Sequence, residues 1–411
     1  MKRLDSARAA LAVLTGLNLL NYIDRYIPSA VLPAIIATLH IKDSQAGSVQ
    51  TLFIVTYALV SPVAGSLGDR YRRFLLAAVG VFIWSAATIG SGLAPTFAAL
   101  VVARALIGVG EASYSVVTPS LLSDFYPADR RSRVLAIFYA AIPVGSALGY
   151  ALGGAIEAAW GWRWAFFVAG APGAVLAAIL LFLREPPRGR FDPPAAKLPT
   201  AAAPAWQWLR MLGRRHSYVY DTLAQTIYTF SMGGLASWMP TYFVRERHLP
   251  LKTADLTFGA VLCLAGFAGT LLGGRLGDRV ARRRRDGYFL FSGVSLLLTV
   301  PFTLLAILSP TPAIFWPAIF VTLLLLFLNT GPLNAAMANV LPAELRGRGF
   351  ALYTMSIHLF GDAASPWLIG IASDRVGLQW PVLVAGLLLA VAGVVLLVGR
   401  GALARDLEWA T

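Results

Sequence analysis

Cysteine and histidine are almost missing from this chain, which has one Cys and four His among its 411 residues. A single cysteine excludes an internal disulfide framework, and the few His and Cys show no metal-ligand spacing. The phosphate-binding loop that ends in Gly-Lys-Ser/Thr is absent, so ATP does not drive this protein. No strand-turn-helix elbow surrounds a serine nucleophile. The sequence therefore predicts neither an enzyme nor a bound metal or cofactor.

Charged residues are scarce as well. They make up 13% of the sequence, and hydrophobic residues make up 57%. Ordinary soluble chains have about 25% charged and about 45–50% apolar residues, so the composition is typical of an integral membrane protein. The formal net charge of +14 comes from basic loops that also attract anionic lipid headgroups. We expect membrane lipids, and no nucleic acid, as partners.

Twelve apolar runs are long enough to cross a bilayer as helices, which takes about 20 residues. We number them spans 1 to 12, and their bounds are 9–39, 44–67, 74–93, 96–124, 134–156, 163–183, 216–244, 254–276, 287–309, 312–340, 348–372 and 378–400. The sequence thus predicts an all-α membrane protein with twelve transmembrane helices. An even number of spans leaves both termini on the same side of the membrane.

Basic residues indicate which side that is. Lys and Arg are concentrated at the N-terminus, in the central segment and in the loops after spans 2, 4, 8 and 10. Short loops that are rich in Lys and Arg stay in the cytoplasm. We therefore expect both termini to be cytoplasmic.

A proline-rich segment divides the chain into two halves. Residues 184–215 contain six prolines, a composition typical of a semi-rigid linker. The predicted domains are an N-terminal six-helix bundle at 1–183, this cytoplasmic linker, and a C-terminal six-helix bundle at 216–411.

Two loop motifs recur in the two halves, which indicates an internal repeat. Gly65–Arg70 after span 2 matches Gly274–Arg279 after span 8, and Pro127–Arg133 after span 4 matches Pro342–Arg348 after span 10. Two parallel six-span repeats that hold a solute near the bilayer midplane are the design of the major facilitator transporters. The first motif also resembles the signature loop of that superfamily. The sequence thus predicts two pseudo-symmetric bundles in the major facilitator fold.

Four charged residues lie in the interior of spans 1 and 4, away from their ends. They are Asp24, Arg25, Arg104 and Glu111. Each charge costs about 2.5–3.5 kcal/mol at the centre of a span on insertion scales, so such residues usually pair with each other or move ions. We expect the four to form the polar centre of a transporter. The alternative interpretation is a permanent ion pair that only orients helices.

Two short stretches around these charges resemble a narrower family. Asn21–Tyr26 followed by Pro33, and Gly108–Tyr114 followed by Pro119, are similar to the motifs of the Spinster family. Animal members of that family export lysophospholipids and sphingosine-1-phosphate, and this chain resembles a bacterial member. The resemblance implies a proton-coupled secondary transporter of an amphiphilic, lipid-like solute in the bacterial inner membrane. It would work by alternating access, and monomeric function is the superfamily's usual state.

The resemblance makes Asp24 and Glu111 the candidate proton-coupling groups. Protonation of either carboxylate would release an arginine, Arg25 or Arg104, to hold the anionic group of the solute; Arg104 is alternatively an anchor behind the site. The further candidate substrate-binding residues are Asn21, Tyr22, Tyr26, Ser113, Tyr114, Tyr228 and Trp238. Tyr22 and Tyr26 share a helix face that either lines the cavity or packs. The aromatic residues of span 7 would form an apolar wall that suits an amphiphile.

The repeated loop motif predicts a conformational latch. Asp69 at the end of span 2 is expected to pair with Arg70, Arg73 or a partner helix. Asp278 and Arg279 offer the same latch in the second half. The alternative is a topology signal with balanced charges.

Two further spacings predict contacts. Gly145, Gly149 and Gly153 line one face of span 5, as expected where a second helix packs closely. His358 and Asp362 of span 11 are four residues apart and therefore share a face. They would form either a proton relay or a pair near the aqueous rim.

Two other functions fit parts of the same pattern. A multidrug/proton antiporter of the same fold would also need intramembrane carboxylates. A membrane receptor or scaffold that transports nothing is the second rival, but it gives no reason for the intramembrane charges and the mirrored loop motifs.

Overall fold

A computed structural model of the chain describes residues 6–188, 190, 205–341 and 343–408. Over these residues the chain is helical almost throughout, with short connections between helices. In chain order the helices are α1 (Ser6–Ala30), α2 (Leu32–Leu39), α3 (Asp43–Arg70), α4 (Arg73–Leu93), α5 (Phe97–Phe125), α6 (Ala128–Trp160), α7 (Trp162–Phe182), α8 (Ala205–Arg214), α9 (His216–Arg245), α10 (Leu251–Arg283), α11 (Gly287–Leu297), α12 (Thr299–Leu308), α13 (Pro312–Phe327), α14 (Thr330–Val340), α15 (Ala343–Ile357), α16 (Ala364–Val376) and α17 (Gln379–Glu408). A π-helical turn, His358–Asp362, joins α15 to α16.

Nine helices among the described residues are long and apolar enough to cross a membrane. They correspond to nine of the twelve predicted spans and confirm an all-α, multi-pass membrane protein. The other three predicted spans are helical too. Span 1 is α1 and α2, span 7 is α9, and span 11 is α15, the π-helical turn and α16. These three carry more polar residues or are broken, and for them the crossing stays a prediction.

The backbone itself repeats between the two halves. Among the residues that the structure describes, two that are not glycine have a positive φ, His40 at 51° and His248 at 54°. Two glycines do as well, Gly161 at 86°, which ends α6, and Gly377 at 79°, which ends α16. The histidines follow spans 1 and 7, and the glycines follow spans 5 and 11. The same unusual conformations therefore occur at corresponding places in the two predicted repeats.

Contacts divide the chain into two compact units. The first contains Met1–Pro199 together with Phe243–Gly259, and the second contains Thr200–Tyr242 together with Ala260–Thr411. The first unit therefore includes α1 to α7 and the segment that ends α9 and begins α10. Residues 189 and 191–204 of the predicted linker lie outside the described residues, and the predicted domain division stays a prediction.

The second unit has an apolar core built by α9, α11, α13, α14 and α17. Phe289, Leu296, Leu326, Leu389 and Leu396 lie in it, each at most 1% exposed. Because lipid surrounds such helices, their close packing rather than escape from water holds the core together.

In the first unit, the predicted glycine face of α6 packs on α1. A Cβ at Gly149 would lie 2.8 Å from the Ile23 carbonyl oxygen and 2.8 Å from the Tyr26 Cβ. Gly145 and Gly153 meet α1 one turn to either side, which confirms the predicted close helix contact. This contact fixes the rotation of α1, and so the directions of its charged side chains.

We expect Gly149→Ala to destabilise the protein, because the added methyl must displace helix backbone rather than a flexible side chain. Overpacking of this kind typically costs about 1–3 kcal/mol. The thermal midpoint in detergent measures the effect. Gly90→Ala on α4 is the matched control, because a Cβ there meets nothing within 4 Å. Equal midpoints for the two variants would contradict the helix contact.

Candidate functional site

An ion pair joins α1 to α5 inside the first unit. Arg25 Nη2 lies 2.6 Å from Glu111 Oε2. The Glu111 side chain is fully buried, whereas that of Arg25 is 21% exposed. The second Glu111 oxygen, Oε1, has no hydrogen-bond partner. The pair therefore consists of a buried acid and a partly exposed cation.

Asp24 does not pair with its neighbour Arg25. Successive residues of a helix point about 100° apart, and Asp24 faces α4. There its Oδ2 accepts hydrogen bonds from Trp84 Nε1 and Thr88 Oγ1, both at 2.7 Å. Asp24 is fully buried, and its Oδ1 has no hydrogen-bond partner. Neutral donors thus hold this carboxyl.

Close contact between α4 and α5 makes this arrangement possible. A Cβ on Gly110 of α5 would collide with the backbone of Gly80 and Trp84 on α4. Only glycine lets the two helices approach so closely. The contact lies one residue before Glu111, so the donors to Asp24 and the partner of Arg25 are held in one place.

Arg104 is buried completely, two turns before Glu111 on α5. Its Nη2 donates to Gln50 Oε1 over 3.2 Å, and its Nε and Nη1 have no hydrogen-bond partner. Arg104 interacts electrostatically with Asp24 and with Glu111. A cation with two unused donor atoms is thus within electrostatic range of both carboxyls.

Aromatic rings surround both arginines. The Arg25 guanidinium carbon lies 5.0 Å from the ring centre of Tyr22, 5.2 Å from that of Phe53 and 5.3 Å from that of Tyr57. Phe53 also lies 4.7 Å from the guanidinium carbon of Arg104. Ring faces attract cations within about 6 Å. Tyr22 therefore lies beside Arg25 together with two rings of α3, and its contact with a solute stays a prediction.

Sequence reasoning missed the supporting residues on α3 and α4. These are Gln50, Phe53, Tyr57, Trp84 and Thr88. Three of them lie on one face of α3 at helical spacing, so a polar and aromatic stripe in span 2 was a signal. The donors on α4 had no such signal, because Trp and Thr are common in apolar spans.

The other predicted residues of spans 1 and 4 are less accessible. Asn21 is 1% exposed, and its Nδ2 has no hydrogen-bond partner. Tyr26 is half-buried and packs on Tyr150, with ring centres 5.2 Å apart. The Ser113 hydroxyl donates to the Val109 carbonyl. Tyr114 is fully buried and donates to the Leu14 carbonyl over 2.6 Å. Tyr114 thus packs between helices and offers no surface to a solute.

Tyr228 and Trp238 belong to the second unit. Trp238 is fully buried, and its Nε1 donates to the Pro366 carbonyl over 2.9 Å. Tyr228 is 9% exposed and donates to the Leu326 carbonyl over 3.3 Å. Both side chains donate their hydrogen bond to a backbone carbonyl of their own unit. Their placement is that of packing residues, and it gives the predicted substrate contact no support.

Two buried carboxyls of the predicted spans were not among the candidate residues. Asp221 on α9 is 1% exposed and accepts from Gln225 Nε2 over 3.0 Å, while Gln225 Oε1 accepts from Tyr353 over 2.6 Å. Asp255, near the start of α10, is fully buried. The signal was the one that identified Asp24, an acidic residue inside an apolar run.

His358 and Asp362 share a face as predicted. The His358 Nδ1 lies 2.9 Å from Asp362 Oδ2, and both belong to the π-helical turn. Their role as a proton relay stays a prediction.

The predicted latch residues have other partners than expected. Arg73 pairs with Asp124 over 2.6 Å and with Glu185 over 2.9 Å. Arg188 donates to the carbonyl oxygens at the end of α3, including that of Asp69. The signature loop is thus tied to the end of α5 and to the residues after α7.

The remaining latch residues lie at helix ends as well. In the second unit, Asp278 accepts from the Tyr288 hydroxyl over 3.0 Å, and Arg279 is exposed like Arg70. The latch function stays a prediction. In the part of the chain that the structure describes, no group of three or more His, Cys, Asp and Glu side chains could hold a metal ion.

Comparisons with known proteins agree with this architecture. The sequence profile of the Major Facilitator Superfamily matches residues 14–366. Human protein spinster homolog 1 is 39% identical over 400 residues, which cover 92% of this chain and 75% of the human one. The sphingosine-1-phosphate transporter of Danio rerio is 35% identical over 384 residues, covering 89% and 76%.

Solved structures match over almost the whole length. A bacterial homolog of the human lysosomal transporter Spinster, inward-facing and unoccupied, has a TM-score of 0.88 at 22% identity and covers 98% of this chain and 99% of its own. A D-xylose–proton symporter has a TM-score of 0.70 at 18% identity and covers 94% and 97%. At such identities the likeness concerns the fold alone.

We expect Asp24→Ala to lower the thermal midpoint in detergent far more than Asp24→Asn does. Alanine leaves the Trp84 and Thr88 donors buried without an acceptor, and each such group costs about 1–3 kcal/mol. Asparagine keeps one acceptor oxygen at the same position. Similar midpoints for the two variants would mean that the two hydrogen bonds contribute little to stability.

Proposed function

Because this chain belongs to the Spinster family of the major facilitator superfamily, we propose that it carries an anionic, lipid-like solute across the membrane in a proton-coupled, alternating-access cycle. It is a multi-pass transporter and not an enzyme. The observation that carries the proposal is the pair of Arg25 and Glu111, a partly exposed cation held at 2.6 Å by a buried acid.

Coupling follows from competition for one cation. While Glu111 is ionised it occupies the Arg25 guanidinium. When Glu111 takes up a proton, the ion pair loses its negative partner and Arg25 becomes free to bind a negative group of the solute. A solute anion and a proton on Glu111 therefore stabilise one another, and linkage makes the effect reciprocal.

The surroundings of Arg25 suit an amphiphile. A guanidinium binds phosphate oxygens through two parallel hydrogen bonds, so it can hold a phosphate headgroup. The rings of Tyr22, Phe53 and Tyr57 beside it add apolar surface for the adjoining part of the solute. The zebrafish relative is by name a transporter of sphingosine-1-phosphate, which is such a molecule. We propose a lysophospholipid or a sphingosine-1-phosphate-like lipid as the solute class.

Asp24 and Arg104 support the exchange of Glu111 for the solute anion at Arg25 without contacting the solute. Arg104 has two donor atoms without partners, and Asp24 has one free oxygen. Loss of charge at Glu111 would leave Arg104 with Asp24 as its carboxylate. Asp24 is in turn a second group that can take the proton. We assign proton coupling to Asp24 and Glu111. We assign binding of the anionic group of the solute to Arg25, and electrostatic stabilisation of the two carboxylates to Arg104.

Location and assembly are proposed from the same reasoning. Basic loops on one side predict cytoplasmic termini in the inner membrane of a bacterium. We propose a monomer as the working unit, which is the usual state in the superfamily. The Arg73, Asp124 and Glu185 cluster would hold the signature loop in one conformational state.

We expect Glu111→Gln to bind lysophospholipid more tightly than the native protein does, because the neutral amide releases Arg25. Glu111→Gln mimics the protonated acid, so it should bind the lipid at all pH values and lose proton-driven flux. We expect the lipid affinity to change by about 5-fold to 150-fold between the ionised and the neutral form of residue 111. Proteoliposome flux with and without a pH gradient, alongside binding isotherms, measures both.

Asp374→Asn is the control, since Asp374 is exposed at the end of α16 and should leave flux unchanged. Gradient-driven flux that survives in Glu111→Gln contradicts the coupling role but keeps the solute class. If no lipid moves under any gradient while cationic drugs do, the protein is instead a multidrug/proton antiporter.

A further inference from the structure

Asp255 is a buried acid without a partner, far along the chain from the polar centre. It lies four residues after Leu251, the first residue of α10, in the part of that helix that belongs to the first unit. Its exposed fraction is zero, and neither carboxyl oxygen has a hydrogen-bond partner. Among the described residues, few other carboxyls are buried as completely without a donor.

The carboxyl of Asp255 packs directly on α6. A Cβ at Gly154 would lie 2.6 Å from Asp255 Oδ2 and 2.9 Å from its Cβ. Any side chain at position 154 would therefore push the acid away. Gly154 is next to Gly153 of the face that packs on α1, so the same turn of α6 makes room on both sides.

Acids rather than bases face Asp255 from α6. Glu157, one turn after Gly154 and half-buried, interacts with it electrostatically. Tyr150, one turn before Gly154 and fully buried, does so as well. On its own helix the charged neighbour is Lys252, which is exposed. No cation therefore compensates a negative charge on Asp255 in this contact.

A carboxylate that is buried without a cation or a donor carries a large desolvation cost, and its neutral form avoids most of that cost. A second acid nearby adds repulsion to the charged form. We propose that Asp255 is a proton-binding site that links the contact between α6 and α10 to pH. It holds a proton while the contact is closed. When the contact opens, water enters, and Asp255 gives its proton to that water.

A neighbouring contact of the same segment behaves differently. Arg245 at the end of α9 binds both oxygens of Asp43 at the start of α3, at 2.8 and 2.7 Å. This contact needs an ionised carboxylate, whereas the Asp255 contact needs a neutral one. The segment Phe243–Gly259 is thus held by one contact that tolerates high pH and one that does not.

The inference goes beyond the proposed coupling at Glu111 and does not depend on it. It is tested in Glu111→Gln protein, in which that acid no longer titrates. Spin labels are attached at Ala158→Cys on α6 and Thr253→Cys on α10, both exposed positions, with Cys263→Ser to remove the native thiol. The distance distribution is recorded in lipid nanodiscs from about pH 5 to about pH 9.

The short-distance population should fall as the pH rises, by up to about tenfold in the closed-to-open ratio per pH unit for one linked proton. Asp255→Asn should stay closed at every pH. Asp255→Ser is the second neutral variant if the amide prevents folding.

Asp43→Asn is the matched control. It should reduce the closed population at every pH and leave the slope unchanged, because it weakens the other contact. A slope that persists in both neutral variants of Asp255, or a flat profile in the starting protein, would overturn the proposal.

Discussion

The high free energy of a charge in a low-dielectric interior determines which side chains and which helices of the first unit must lie close together. Asp24, Arg104 and Glu111 have no exposed surface, and the protein stabilises each of them differently. Glu111 has a cation, Asp24 has two neutral donors, and Arg104 has an amide and an aromatic ring. Such close placement requires helix backbones in contact, which the glycines of α5 and α6 allow. The charged groups can therefore stay close together only while the helices pack closely. A side chain in place of a glycine on α5 or α6 would move these helices apart.

The three solutions respond differently to a proton. A carboxylate held by a cation loses its partner's attraction when it is protonated, so the Arg25 pair is sensitive to the state of Glu111. A carboxyl held by Trp84 and Thr88 keeps an acceptor oxygen in either state, so these donors stabilise Asp24 with less dependence on its charge. The unpartnered atoms Glu111 Oε1 and Arg104 Nε leave the network incomplete. Atoms without a partner can accept a new one, and a carrier needs groups that can change partners.

The sequence was sufficient for the fold because each span and each repeat has its own local signal. Apolar length predicted the helices, paired loop motifs predicted the repeat, and the spacing of Gly145 to Gly153 predicted a real helix contact. It also identified the four charges of the polar centre. It did not identify their partners, because those depend on helix rotation. Arg25 neighbours Asp24 along the chain and yet pairs with Glu111, 86 residues away. Rotation also explains Tyr114 and Trp238, whose aromatic character suggested a binding surface while their donors bind backbone carbonyls inside the packing.

The basic residues of the loops both determine the membrane topology and form ion pairs that fix helix ends. The sequence predicts the first role but not the second. The basic residues after α3 predict topology by their number, whatever their contacts. Arg73 nevertheless lies buried between Asp124 and Glu185, so it cannot be exchanged for another basic residue without loss of its two-acid geometry. Arg25 also pairs with a buried acid, but its side chain is 21% exposed. Accessibility, and not charge, therefore separates a guanidinium that can change partners from one that fixes a helix end. This distinction appears only when burial is known.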